Sequence, residues 1–195
     1  MRLIRPTATY CALLFSGLFA GFLLTVLILE LSLRDAGADV YTQVRLVELE
    51  HLGGLATALL VPAVLATATL VFVLLRQPGG ARWLVLAAVV LLLTALGISV
   101  SISVPINAAQ ASWSVLAPPG DWADVRDRWQ VAHAARTAAA ALAFLLLIAV
   151  PLRRSQQDSG GSASVCTVPA TDGPCLPTST PMPIAMVPPP PPTTK

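Results

Sequence analysis

The chain has 195 residues, of which 55% are hydrophobic and only 11% charged, with a formal net charge of +2 and a mean hydropathy of +0.75. That is too little polar surface to cover a water-soluble globule of this length, so lipid is the expected solvent. The basic residues come singly or in pairs, which leaves no positive patch for a nucleic acid, and His51 and His133 stand far in sequence from Cys11, Cys166 and Cys175, which leaves no zinc-binding pattern.

The first membrane span is expected over about residues 8–30, following Arg2 and Arg5. Its apolar run exceeds the core of a secretory signal and lacks a small-residue cleavage site before Glu30, so it reads as an uncleaved helix. Gly17 and Gly21, overlapped by Ser16 and Ala20, make a small-residue face that a neighbouring helix can approach closely, and Cys11 reads as a small packing residue. A polar connection with Glu30, Arg34, Asp35, Asp39, Arg45, Glu48, Glu50 and His51 leads to the second span, expected at about residues 52–75. The turn Gln77-Pro78-Gly79-Gly80 then leads to the third, at about residues 82–104. Each of the three meets the requirement of about 20 residues, at 1.5 Å apiece, for crossing the hydrocarbon layer.

After the third span comes Val104-Pro105-Ile106-Asn107, which brings an amide to the membrane edge. Pro118-Pro119-Gly120-Asp121 reads as a turn, with Asp121 as helix N-cap and Asp124 in a first turn favoured by the helix dipole. The fourth charge-free run, Thr137 to Leu152, is short for a span. Counting about 20 residues back from Leu152 gives a span of about residues 131–152, with its helix starting outside the membrane at Trp122. This draws His133 and Arg136 into the bilayer edge, where a charge must reach the headgroups, pair, or face a wet cavity. At about 100° per residue, Trp122, Arg126, Trp129, His133 and Arg136 lie within about 80° of one another on one helix face.

The expected fold is therefore an all-α membrane protein, a four-helix transmembrane bundle over residues 1–154 with a disordered cytoplasmic tail over 155–195. The tail is Ser, Gly, Thr and Pro and cannot bury enough apolar surface to fold. Its run Pro188 to Pro192 suits a polyproline II rod, either a solvated spacer or a ligand for a proline-recognition partner. Cys166 and Cys175 read as free thiols in a reducing cytoplasm. Arg2, Arg5, Arg76, Arg82, Arg153 and Arg154 fall on one side of an even number of spans, which predicts a multi-pass protein of the cell membrane with both termini cytoplasmic. The opposite face holds most of the acids. The first three spans carry no deep charge and the chain shows no internal repeat, which argues against ion-coupled transport.

Two readings fit the polar groups of that face. In one, Trp113, Trp122 and Trp129 form an interfacial aromatic belt, Arg136 and a Glu staple two helices, and His133 is an interface histidine. In the other, Asn107, Trp122, Trp129, Glu30, Glu50 and His51 surround a small aromatic substrate on which His133 and Arg136 act. His133 or a Glu would move a proton and Arg136 would hold a developing phenolate or enolate.

Val104-Pro105-Ile106-Asn107, Pro119-x-Asp121-Trp122, Arg128-Trp129 and His133-x-x-Arg136-Thr137 together resemble the membrane family known as domain of unknown function 1772, which includes the fungal anthrone oxygenases. The resemblance runs from about Thr9 to Leu152 and leaves out the tail. It implies a four-helix membrane architecture and, as activity, oxidation of an anthrone carbon to the quinone by dioxygen without a metal or flavin cofactor. Such chemistry needs a base and an anion-stabilising cation, which His133 and Arg136 could supply while Asn107 orients the substrate. The alternative is a non-catalytic membrane protein that acts as a structural or interaction partner through its proline-rich tail.

Overall fold

A computed structural model describes residues 4–75 and 80–161, with side chains over 5–75 and 80–152. Arg2, the start of the expected Gln77-Pro78-Gly79 turn, both tail cysteines and the five-proline run lie outside the described residues. The helices are α1 (Ile4–Ser32), α2 (Ala38–Leu75), α3 (Ala81–Ile98), a π-helical segment (Ser99–Ser103), α4 (Val104–Gln110) and α5 (Trp122–Gly161). Among the described residues, four helical runs are long and apolar enough to cross a membrane: Arg5–Ser32, Ala38–Leu75, Ala81–Gln110 and Trp122–Leu152. The protein is thus an all-helical, multi-pass membrane protein.

Packing follows from which side chains are small. Ala12, Ala63, Ala88, Ala95, Ala140 and Ala143 are fully buried, whereas Leu14, Leu65, Phe72, Val90 and Leu145 point away from the bundle. In lipid, large apolar side chains gain nothing by turning inward, and small ones let helix backbones approach and gain dispersion contacts. α1 packs against α2 and α5, and α3 against α2 and α5, so consecutive spans are neighbours around a square. Of the pair on α1, Gly17 makes the close approach: a Cβ there would lie 2.9 Å from a ring carbon of Phe144 on α5, whereas one at Gly21 would meet nothing within 4 Å.

Three features extend the bundle beyond the hydropathy-defined spans, all at the end that carries the α1–α2 and α4–α5 connections. We call this the polar end. α2 begins at Ala38, so most of the expected polar connection before Leu52 is helix. The helical run after α3 does not stop near Pro105. Proline lacks an N–H and its ring crowds the carbonyl of Ser101, which would break a regular α-turn. Here the backbone widens instead, with the Val104 N–H donating to the Ser99 carbonyl, and helix resumes through Gln110. α5 starts at Trp122, as the turn chemistry predicts, with the Val125 N–H donating to the Asp121 carbonyl at 3.1 Å. At its other end α5 continues past Arg154 to Gly161, beyond the expected start of the tail.

Candidate functional site

Arg45 organises the polar end. It is 4% exposed, and its guanidinium donates to Glu48 Oε2 at 2.7 Å, Glu30 Oε1 at 3.3 Å, Gln110 Oε1 at 2.8 Å and Asn107 Oδ1 at 2.6 Å. The Trp129 ring lies 3.9 Å from its Cζ. A single planar fork therefore touches α1, α4 and α5 from its own position on α2, a geometry that suits arginine and not lysine. Two carboxylates and two amide oxygens compensate its burial, as a buried ion pair requires.

The α5 stripe predicted from helical spacing forms, but its members do different things. Trp129 donates its indole N–H to Asn107 Oδ1 at 2.7 Å and stacks on His133 with centroids 4.7 Å apart and planes 12° from parallel. His133 Nε2 lies 2.9 Å from the Leu23 carbonyl of α1, an acceptor only, so Nε2 carries the proton. Arg136 Nε, a donor only, lies 3.0 Å from His133 Nδ1, so that nitrogen is the bare one. The ring is a neutral imidazole with both nitrogens engaged. Trp122 sits above this layer, 5.6 Å from the Tyr41 ring, with the Arg126 guanidinium 4.9 Å from its own ring.

Arg136 is half-buried. Beyond His133 it reaches Ser99 Oγ at 3.4 Å, and among the described residues it makes no ion pair with a carboxylate. The staple expected between Arg136 and a Glu is replaced by Arg45, which takes both buried acids because it stands one turn from Glu48 and faces Glu30. Glu30, fully buried, also accepts from the Gln130 amide at 3.1 Å.

Beneath this cluster lies a cavity of about 470 Å³, within the usual range for small-molecule sites. Its body is apolar, with Phe19, Phe22, Leu52 and Leu60 in the lining. Arg45, Glu48, Ser103, Asn107, His133 and Arg136 supply its polar groups. Two buried oxygens of lining residues, Glu48 Oε1 and Ser103 Oγ, have no hydrogen-bond partner among the described residues. An unpartnered buried oxygen is costly. The π-segment brings Ser99, Ser103 and Asn107, four residues apart, to this one wall.

Of the residues that the sequence nominated, Asn107, Trp129, His133 and Arg136 meet in the cavity lining. Glu30 bonds to the cluster from behind Arg45, and Trp122 lies in the layer above. Glu50 and His51 are exposed on α2 and outside the lining. Arg45 and Glu48 are not among the site residues that the sequence nominates. Their signal is present as Tyr41, Arg45 and Glu48 at i, i+4 and i+7, one polar stripe of a helix. A stretch read only as a connection hides it. Among the described residues no group of three His, Cys, Asp or Glu is placed to hold a metal ion.

Fold and site together define a four-span membrane protein with a polar-ended cavity inside its bundle. Residues 54–146 match the family described as Anthrone oxygenase. The matched stretch carries Ser99, Ser103, Asn107, Trp129, His133 and Arg136, while Glu30, Arg45 and Glu48 precede it. No curated protein and no solved structure matches the chain.

Proposed function

We propose that this protein is a cofactor-independent oxygenase that oxidises an anthrone-like hydroxyaromatic, with the reaction at the polar end of the cavity. One observation carries the reading. An apolar cavity has in one lining the carboxylate residue Glu48 and the guanidinium residue Arg136, which makes no ion pair with a carboxylate among the described residues. The match to the anthrone oxygenase family over residues 54–146 supports the substrate class.

In this mechanism the Glu48 carboxylate removes a proton from the doubly benzylic CH₂ carbon, and Arg136 holds the resulting enolate oxygen. The electron-rich carbon then bonds to dioxygen, and Glu48 returns its proton to complete a hydroperoxide. Loss of the remaining C–H proton, with cleavage of the O–O bond, leaves a carbonyl and one water. The four electrons taken from carbon reduce one dioxygen, so no further oxidant is needed. His133 is a positioning residue here: its bare nitrogen fixes the guanidinium of Arg136 and its ring backs Trp129. The polar end faces away from the cytoplasm, because Arg-rich segments flank the opposite ends of the spans.

Purified protein in lipid nanodiscs should take up oxygen with 1,8-dihydroxyanthrone faster than the protein-free reaction. Glu48→Gln, which keeps the shape and the bond to Arg45, should lower kcat by about 100-fold or more, the usual loss for a general base. Arg136→Gln should cost about as much, as loss of an anion-stabilising donor does, and His133→Ala should reduce the rate through Arg136. Uptake equal to the protein-free control, or unchanged by all three substitutions, would sink the proposal.

A further inference from the structure

The exposed residues of the cavity lining are not spread evenly among the helices around it. Above the cavity, Arg45, Gln110 and Glu30 are 4% exposed or less, with Tyr41 fully buried beyond them, so the centre of the layer facing the polar end is closed, with the exposed lining residues Ala108 and Ala111 at its α4 edge. Below, Phe19, Leu23 and Leu60 are buried. None of its lining residues from α1 or α5 is exposed. Every exposed lining residue lies on α2 or on the run from α3 to α4 and just beyond. They form two facing stripes at helical spacing, Gly53, Thr57 and Val61 on one side and Leu96, Val100 and Val104 on the other.

Both stripes belong to charge-free stretches of membrane-spanning helices, so the gap between them faces acyl chains and not water. A Cβ at Gly53 would meet nothing within 4 Å, which keeps the gap wide at its upper edge.

We propose that the occupant enters the cavity sideways from the bilayer, through the gap between α2 and the α3–α4 run. It is accordingly a membrane-dissolved, planar, lipophilic small molecule bearing an ionisable hydroxyl. This deepens the oxygenase reading and rests on the cavity being its substrate site. The chemistry of the lining selects the class. The apolar body takes a ring system, and the lining residues Arg136, Ser103 and Glu48 meet the hydroxyl and the acidic carbon at the inner end. A diacyl phospholipid does not fit: its headgroup would have to lie under the buried Arg45 cluster, and its chains exceed about 470 Å³.

The test uses full-length protein in phosphatidylcholine nanodiscs and a hydroxyanthraquinone carrying a diazirine. Being already oxidised, this probe consumes no oxygen, so its labelling reports the route whether or not the oxygenase reading holds. Light should attach it to peptides covering 49–61 and 96–111, and free hydroxyanthraquinone should compete. Thr57→Trp, and Val100→Trp from across the gap, should each cut this labelling by about tenfold, as a one-decade loss of affinity would. Leu65→Trp, on the outer surface of α2 and outside the cavity, should leave it unchanged. Labelling that ignores both gap substitutions, or that is confined to outward residues such as Leu65 and Phe72, would overturn lateral entry.

Discussion

Arg45 has a planar group with five N–H donors, and the acceptors around it use that plane from several directions. Removing the cation strands two carboxylates in a buried layer, so Arg45→Met should destabilise the bundle by about 3–5 kcal/mol. Arg45→Lys keeps the charge but cannot serve Gln110, Asn107 and Glu48 from one end of a flexible stem, and should fall between the two. Unfolding in mixed detergent micelles, followed by tryptophan fluorescence, measures both. A loss below about 1 kcal/mol for Arg45→Met would mean that the cluster contributes no more than an exposed ion pair. The nearby Arg34–Asp127 pair is such a case, at 4.0 Å and with both side chains well exposed, and it carries no comparable expectation.

At the scale of elements, α1 and α5 meet where Gly17 faces the Phe144 ring. Gly17→Ala forces that ring to shift and should cost about 1–3 kcal/mol as overpacking. Gly21→Ala, in open space, should be neutral. Adding Phe144→Ala should remove the Gly17→Ala penalty in a double-mutant cycle, and a penalty that persists would place the strain elsewhere. The spans themselves were legible because hydropathy reports the part of a helix that lies in lipid. That same signal is silent about the part that leaves it, which is why residues 38–51 read as a connection although they continue α2. Pro105 misled in the opposite sense. A proline normally ends a helix, and nothing local announces that a π-turn will carry the chain through to Asn107 and Gln110. The α5 stripe was readable because all its members share one helix. The partners of Arg136 and Arg45 were not, because pairing across helices depends on rotations that spacing within one segment does not encode.

For the whole molecule, the four spans among the described residues are an even number, so the start of α1 and the end of α5 are expected on one side of the membrane. In a chain with its native cysteines replaced by alanine, an impermeant thiol reagent should label a cysteine at Asp39 from outside the cell and one at Ser159 only after permeabilisation. Outside access at both positions, or at neither, would contradict the arrangement. The arginine hub also bears on how the bundle is built. Spans enter a membrane in chain order, and the hub's charged members, Glu30, Arg45 and Glu48, all belong to the first two. The first helical hairpin therefore arrives with its cation and its acids already matched, before α3 or α5 has been made. Asn107, Gln110 and Trp129 come later and add only neutral contacts to a charge already placed. Biogenesis can thus proceed hairpin by hairpin, with no stage at which Arg45 waits in lipid for a counter-ion on an unmade helix.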